Sequence, residues 1–361
     1  MTAVTGDLAD VLDLDALRGW LDGRLAGYDA DAGLEVSLLA GGRSNLTVRL
    51  DQGEHSWALR RPPLGHVMAS AHDVGREYRV MTGLGRVGFP VPTTRVACDD
   101  ASVLGAPFFV MDFVRGPVLA TAAETSALPA ERTAAISAAL VDTLAELHGL
   151  SPAAAGLDTL GRPHGYLGRQ VRRWLGQWET TKTRELPGVA VLGGWLGERV
   201  PDVVAPPAVL VHGDYRLDNL ILSEGLDRVA AVLDWEMATT GDALADLAVA
   251  LVYWSEATDT LRAELAVSAG VTSAAGFWTR EQIVAHYADR TGQPVDDLDV
   301  YVALACLKLG VIMESIRFRA LAGQQRGVAA AGADAMGRSC EALVELGLRV
   351  TRRGALAALA S

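Results

Sequence analysis

The chain has 361 residues, half of them apolar, so it can bury a large core and is expected to divide into two lobes or domains. Its 44 acidic residues outnumber its 32 basic ones, and the net charge of −12 argues against a nucleic-acid-binding surface. Three widely separated cysteines predict neither a disulfide framework nor a cysteine metal site. No uncharged apolar stretch approaches the roughly 18 residues of a membrane span, and the N-terminus lacks a signal-peptide pattern. These features predict a cytoplasmic protein with no membrane or nucleic-acid partner, and they leave the oligomeric state open.

The order of hydrophobic periods predicts a β-rich first part and a helical second part. From Pro129 onward the pattern is helical, because Ile136, Leu140, Leu144 and Leu147 recur three or four residues apart on one face. Before that point the predicted elements are a helix over 8–28, antiparallel strands over 34–60, a helix over 71–84 and strands over 91–100 and 106–114. The sequence therefore predicts an α+β protein.

The stretch VLVHGDYRLDNLIL, residues 209–222, places charged and amide side chains between runs of branched apolar residues. The run LIL and the following RVAAVLDWE are separated by the turn-like SEGLD, so they are expected to form a hairpin. A hairpin would bring Asp214, Asn219 and Asp234 to one end. Carboxylate and amide oxygens suit Mg²⁺, and the spacing Asp-x4-Asn matches the protein-kinase catalytic loop. The pattern predicts phosphoryl transfer.

HGDYRLDN followed by LDWE resembles the aminoglycoside phosphotransferase and choline kinase superfamily, which are small-molecule kinases with a protein-kinase-like fold. Other similar segments are AGGRSNLTVRL, WALRRPP, REYRVMTGL, FFVMDFVRG and TGDALADLA, in the family's order over roughly residues 35–320. The resemblance implies a bilobal α+β fold. A small antiparallel-sheet lobe over 1–113 would bind the nucleotide, and a larger, mainly helical lobe over 114–361 would carry catalysis and the substrate site.

The resemblance also implies ATP and Mg²⁺ as cofactors, the hydroxyl of a small molecule as acceptor, and roles for individual residues. Asp214 would be the catalytic base or orient the hydroxyl, and Arg216 would face the transferred phosphoryl group. Asn219 and Asp234 would be the Mg²⁺ ligands.

On the nucleotide side, the resemblance implies that Arg60 contacts the phosphates and that Glu77 holds Arg60 by an ion pair. Protein kinases use lysine at this place, and the neighbouring Arg61 stays open as the alternative. The remaining implied contacts are Gly42, Ser44 and Asn45, in a loop that lacks the full Gly-x-Gly-x-x-Gly pattern, and the backbone of Met111 to Phe113 at the adenine edge.

Several nearby polar residues have structural explanations. His212 is expected to order the catalytic loop rather than to bind metal. Asp242 is a candidate N-cap of the following helix, and Asp246 a candidate brace for the catalytic loop. Glu236 could lie near Mg²⁺ or be solvated.

Two other classes of function remain as alternatives. One is a catalytically silent, nucleotide-binding regulatory module of the same fold, whose usual signature is the loss of a catalytic residue. The other is a hydrolytic metal centre built from Asp214, Asp234 and His212, which would need no nucleotide.

The acceptor and the choice of ATP over GTP are left open. The sequence looks most similar to a subgroup that also occurs fused to acyl-CoA dehydrogenases, which implies a hydroxylated acyl acceptor. Between Gly241 and Val300, however, the sequence contains ten acidic and three basic residues, a net charge of −7. This charge slightly favours a cationic, aminoglycoside-like acceptor. Basic residues that could serve an anionic acceptor are Arg172, Arg173, Arg317 and Arg319.

Overall fold

Antiparallel strands dominate the first third of the chain, and helices dominate the rest. The computed structural model describes residues 3–4, 12–39, 45–62, 73–162, 164–259, 265, 270–323 and 330–360. The strands are β1 (Ala3–Val4), β2 (Glu35–Leu39), β3 (Leu46–Gln52), β4 (His55–Arg61), β5 (Thr94–Cys98), β6 (Phe108–Asp112), β7 (Val209–Val211), β8 (Leu220–Leu222), β9 (Val229–Val232) and β10 (Thr239–Gly241). The helices are α1 (Leu14–Leu21), α2 (Val74–Arg86), α3 (Ala101–Leu104), α4 (Ala122–Thr125), α5 (Ala130–Gly149), α6 (Tyr166–Thr181), α7 (Pro187–Arg199), α8 (Leu244–Tyr253), α9 (Arg280–Thr291), α10 (Leu298–Leu321), α11 (Ala330–Arg353) and α12 (Ala355–Leu359).

The first six strands form one antiparallel sheet in the order β1-β2-β3-β4-β6-β5. Side chains alternate between the two faces of a strand. Trp57 and Leu59 of β4 therefore pack in the core that includes α1, whereas Ala58 packs in the core that includes α2. The same alternation directs Arg60 toward α2, which decides the geometry of the site.

Helix α1 is shorter than the helix predicted over 8–28. Asp13 caps its start by accepting a hydrogen bond from the Ala16 N–H at 2.9 Å. The helix ends at Leu21, because Gly23 (φ +67°) and Gly27 (φ +85°) adopt left-handed conformations that stop it. The apolar periodicity of the segment continues past this point without a helix.

Helix α2 carries a carboxylate on its buried face. Asp73 caps the helix by accepting from the Arg76 N–H at 2.9 Å. The buried residues recur at helical spacing and pack against the sheet and the helical core: Val74, Glu77, Val80, Met81 and Leu84. Glu77 is thus held in the interior by the apolar neighbours on its own helix.

The helical part is built around α10, which is buried along most of its length and packs against α6, α8 and α11. The predicted apolar face of α5 is confirmed, since Ile136, Leu140, Leu144 and Leu147 are all buried. In the part of the chain that the structure describes, no helix is both long and apolar enough to cross a membrane.

Two short antiparallel strand pairs lie on either side of the loop of residues 212–219, which contains Asp214. Strand β7 pairs with β10, and β8 pairs with β9 as the predicted hairpin, with Leu220 opposite Val232. The Leu233 N–H donates to the Asn219 carbonyl at 2.9 Å, so the two ends of the hairpin lie side by side.

Candidate active site

The backbone before Asp214 is held tightly by Asp246 of α8. The Asp246 carboxylate accepts hydrogen bonds from the N–H groups of His212 at 2.6 Å and Gly213 at 2.7 Å. Gly213 has φ +86°, and a Cβ there would lie 2.7 Å from the Met237 carbonyl oxygen, so a glycine is required. The predicted bracing role of Asp246 is confirmed.

Two histidines complete this support. His212 Nδ1 accepts the Asp214 N–H at 3.1 Å, and its Nε2 lies 2.8 Å from the Leu233 carbonyl at the end of β9, so both ring nitrogens have backbone partners. His148 Nε2 lies 3.4 Å from Asp246. Burial favours the neutral form of Asp246, but its bonds to His148 and the loop outweigh burial and hold its pKa below the usual value. His212 therefore orders the loop, as expected.

The predicted capping role of Asp242 is wrong. The N-cap of α8 is Ala243, and the Asp242 carboxylate instead accepts a hydrogen bond from the Tyr301 hydroxyl of α10 at 3.0 Å. The chain leaves β10 with this side chain directed at α10, away from the first turn of α8.

The Asp214 carboxylate stands among side chains of its own loop. Arg216 Nε lies 3.2 Å from Asp214 Oδ2, and Arg216 Nη1 lies 2.8 Å from Asp218. Asn219 Nδ2 donates to the Asp214 carbonyl at 2.9 Å. Burial disfavours the charged form of Arg216, but attraction by Asp214 and its neighbours raises its pKa. The phenol of Tyr253 bonds to Asp214, and burial together with that carboxylate raises the pKa of Tyr253.

A second cluster joins the sheet to the hairpin. Arg60 Nε lies 2.8 Å from Glu77 Oε2, and Arg60 Nη2 lies 2.6 Å from Asp234 Oδ1. Burial opposes the charge on Arg60, but the attraction of Glu77, Asp234 and Glu236 is stronger and raises the Arg60 pKa. Burial raises the pKa of Glu77 to about 7 despite Arg60. Asp234 has φ +67°, an unusual conformation for a residue other than glycine and one that often marks functional sites.

Arg61 lies on the opposite face of β4 and donates to the Pro62 carbonyl at 3.4 Å. The structure thus brings Arg60, and not Arg61, beside Glu77. The side chains of Asn219 and Asp234 carry amide and carboxylate oxygens, the donor types that suit Mg²⁺. The amide nitrogen of Asn219 donates to the Asp214 carbonyl, so its oxygen would be the atom to face a metal ion, and Arg60 contacts Oδ1 of Asp234, so Oδ2 would be the corresponding atom of that carboxylate.

Of the other predicted nucleotide contacts, Gly42 and Ser44 lie outside the described residues. Asn45 is buried, and its Nδ2 donates to Glu236 at 3.3 Å, so the end of the predicted phosphate loop lies near the hairpin. Met111 lies opposite Ala58 in the sheet, and the Phe113 N–H donates to the Ser56 carbonyl at 3.0 Å. That donor is therefore already used by the sheet.

A model of the phosphotransferase enzyme family matches residues 35–281. The chain belongs to that family. Acyl-CoA dehydrogenase family member 11 of Rattus norvegicus is 34% identical to this chain, over an alignment that covers 97% of this chain and 45% of that protein. The chain thus spans less than half the length of this curated relative.

The fold of this chain is similar to solved structures of aminoglycoside phosphotransferases, in agreement with the family match. A putative aminoglycoside phosphotransferase from Ralstonia eutropha is 30% identical, with a TM-score of 0.79 over 95% of this chain and 99% of that one. Aminoglycoside phosphotransferase APH(4)-Ia, solved as a ternary complex with ADP and hygromycin B, shares the fold at 16% identity, with a TM-score of 0.56 over 87% of this chain and 94% of that one. The family resemblance and the kinase-like α+β fold are confirmed.

Beside the Asp214 loop, this phosphotransferase has a mainly apolar pocket. Arg216 and Asp218 form its polar side, and the other lining residues are Leu119, Leu140, Leu217, Ala250, Tyr253, Trp254, Val271 and Thr272. The sequence reasoning missed this pocket, because its walls come from distant segments. It also missed the buried Lys308, although a single lysine in the apolar run VALACLKLGVIM was a visible signal.

Proposed function

We propose that this phosphotransferase moves the γ-phosphoryl group of ATP, with Mg²⁺, to a hydroxyl of a small molecule. The observation that carries the proposal is the meeting of two clusters. Arg60, held by Glu77, touches Asp234, and Asn219, which follows the Asp214 loop, adjoins the hairpin end that leads to Asp234. In the proposal, residues 1–113 form the nucleotide-binding lobe and residues 114–361 the catalytic and substrate lobe.

On the nucleotide side, Arg60 would hold phosphate oxygens by its fixed fork of donors, and Glu77 would keep the guanidinium in place. Asn219 and Asp234 would hold Mg²⁺, which neutralises charge on the phosphates when bound. The loop with Gly42, Ser44 and Asn45 would cover the phosphates. The backbone from Met111 to Phe113 would lie along the adenine edge, and because one of its N–H groups is already used, carbonyl acceptors there would do most of the binding.

On the acceptor side, Asp214 would accept or orient the hydroxyl proton, and Arg216 would face the charge on the transferred group. The bonds from His212 and Asp246 hold the Asp214 backbone in position before any substrate arrives. Catalysis of this kind depends mainly on positioning and charge neutralisation, and it needs no covalent phosphoenzyme.

For the acceptor, we propose a hydroxylated acyl group. The small pocket beside Arg216 and Asp218 has mainly apolar walls, which suit a short aliphatic group better than a polyamine sugar. The acids counted between Gly241 and Val300 give the cationic alternative little support, because five of them make internal contacts: Asp242 with Tyr301, Asp246 with the loop, Glu256 and Asp259 with Arg280, and Asp299 with the Ala355 N–H. The relative named as an acyl-CoA dehydrogenase points the same way.

The test compares ATP consumption with a hydroxyacyl-CoA and with an amino sugar, with and without Mg²⁺, alongside calorimetric nucleotide binding. We expect Mg²⁺-dependent phosphorylation of the hydroxyacyl-CoA. Asp214→Asn should retain nucleotide binding and lose turnover, whereas Asp227→Asn, on the exposed turn between β8 and β9, should behave as the wild type.

The other outcomes identify the alternatives. Turnover of the amino sugar alone would overturn the acyl acceptor and leave the kinase. Nucleotide binding without turnover of any acceptor would indicate a catalytically silent regulatory module. Release of phosphate in assays that contain no nucleotide would indicate a hydrolytic metal centre. A cytoplasmic location and the absence of nucleic-acid or membrane partners stay predictions.

A further inference from the structure

Helix α10 carries one lysine into the interior behind the catalytic loop. Lys308 is 9% exposed and sits in a stretch of the helix that is otherwise buried and almost wholly apolar. Its Nζ donates a hydrogen bond to the Gly213 carbonyl oxygen and lies 5.9 Å from the centre of the Trp174 ring. Burial lowers the pKa of Lys308, while Asp214 and Asp246 attract its charge and oppose that effect. A buried lysine is costly to keep, so its contact with this loop calls for a reason.

The contact falls on the peptide group that joins Gly213 to Asp214. The carbonyl of that group accepts from Lys308, and its N–H, which belongs to Asp214, donates to His212 Nδ1 at 3.1 Å. The preceding N–H groups are both bound to Asp246. The plane of the Gly213–Asp214 peptide is therefore held from two opposite sides, and that plane sets the direction in which the Asp214 side chain leaves the backbone.

We propose that Lys308 is a positioning residue for Asp214, a role that rests on the proposed kinase function. Asp246 and His212 bind backbone N–H groups of the loop, and Lys308 binds the Gly213 carbonyl oxygen. Without Lys308, the peptide plane would be held only by the bond from the Asp214 N–H to His212, and the glycine at φ +86° would add little resistance to rotation, since glycine opposes rotation less than any other residue. The carboxylate would then lose its alignment with the acceptor hydroxyl, and small misplacements of a reacting group cost much of the rate.

The test uses the full chain with three variants. Lys308→Met keeps an apolar stem of similar length and removes the donor. Lys308→Gln keeps an N–H donor without the charge. Ser315→Ala is the matched control, because Ser315 is buried on the same helix but contacts Gln177 and Thr181 at a distance from the loop.

We expect Lys308→Met to lower kcat about 10- to 100-fold, the range seen when a supporting hydrogen bond behind a functional group is removed, with little change in KM for ATP or in nucleotide affinity. Lys308→Gln should recover part of kcat, and Ser315→Ala should keep it. Full kcat in Lys308→Met would overturn the proposal. A second outcome would also overturn it: kcat falls in Lys308→Met, nucleotide affinity and melting temperature fall as well, and Lys308→Gln recovers none of the three.

Amide hydrogen exchange gives a readout that needs no activity. Lys308→Met should speed exchange of the amides of residues 212–214 about fivefold, in line with the loss of one hydrogen bond, while exchange in the sheet stays unchanged. If the wild type transfers no phosphoryl group to any acceptor, the proposed function fails, yet the exchange comparison still decides whether Lys308 holds the loop. Unchanged exchange at residues 212–214 would show that it does not.

Discussion

Replacing Arg60 by methionine should make the stability of the fold depend strongly on pH above pH 7, where the stability of the wild type changes little. Arg60 is the cation beside Glu77, whose side chain is 1% exposed. With Arg60 present, burial already raises the pKa of Glu77 to about 7. Without Arg60, the attraction that favours the charged carboxylate is gone, so the pKa of Glu77 must rise above 7. Breaking a buried pair in this way costs about 3–5 kcal/mol when the remaining charge is forced to stay.

The size of the pH effect follows from proton linkage. In the unfolded chain Glu77 ionises near its ordinary pKa of about 4.3, so above pH 7 the unfolded chain binds fewer protons than the folded variant. Stability therefore falls as the pH rises, by about 1.4 kcal/mol for each pH unit as long as the pH stays below the folded pKa of Glu77. Between pH 7 and pH 8.5 the free energy of unfolding of Arg60→Met should fall by up to about 2 kcal/mol, the full value if the folded pKa of Glu77 exceeds 8.5, relative to the double variant Arg60→Met with Glu77→Gln, which has no carboxyl to titrate.

Urea unfolding at pH 7, 7.75 and 8.5 measures this difference. The wild type should change by only about 0.4 kcal/mol relative to Glu77→Gln between pH 7 and pH 8.5, because with a folded pKa of about 7 only the last part of the Glu77 titration falls in this range. Arg95→Met, which breaks the exposed ion pair with Asp112, serves as the control and should cost less than about 1 kcal/mol at every pH. Parallel curves for Arg60→Met and the double variant would refute the reasoning, since they would mean that Glu77 is not the group that titrates.

Three further predictions concern the hairpin and the loop. Asp234→Asn should weaken Mg²⁺-dependent turnover by about 100-fold or more, because one unit of ligand charge is lost; a Mg²⁺ titration of activity checks this, and full activity at saturating Mg²⁺ would remove Asp234 from the site. Gly213→Ala should destabilise the fold by about 1–3 kcal/mol in a melting experiment, because its Cβ would approach the Met237 carbonyl at positive φ; an unchanged melting temperature would contradict the required glycine. The lowered pKa of Asp246 means that its stability contribution is present above about pH 4 and is lost as the pH falls through the folded pKa, so Asp246→Asn should be less stable at pH 7 and lose less stability on acidification; equal acid unfolding of both proteins would contradict this.

The parts of the site that depend on local order were predictable from the sequence. The hairpin of β8 and β9 follows from two apolar runs around a turn, and its geometry brings Asn219 close to the residues before Asp234. The link from Glu77 to the sheet follows from the helical spacing of α2. The choice between Arg60 and Arg61 needed the strand register, because a shift of one residue exchanges the two faces.

The parts that depend on packing between distant segments were not predictable. Nothing near Lys308 in the sequence indicates that α10 crosses behind the catalytic loop, almost a hundred residues earlier in the chain. Tyr301 of the same helix donates a hydrogen bond to Asp242, so this aspartate does not act as the N-cap that its position before a helix commonly predicts. The predicted length of the helix over 8–28 was wrong for a local reason. Gly23 and Gly27 adopt left-handed conformations that end the helix, although the apolar pattern continues.

The use of arginine rather than lysine at position 60 follows from what this side chain has to join. Its Nε lies 2.8 Å from Glu77 of helix α2, and its Nη2 lies 2.6 Å from Asp234 at the end of the hairpin. A guanidinium presents donors in several fixed directions, whereas an ammonium is a single point charge at the end of a flexible stem. Arg60 can therefore hold two carboxylates at once and still direct its remaining N–H groups toward a phosphate. Because one carboxylate oxygen of Asp234 contacts Arg60, a Mg²⁺ ion held by Asp234 would lie close to any phosphates bound by Arg60. In the proposed function, the ion pair that links the sheet to the hairpin would then also set the relative positions of the metal and the nucleotide.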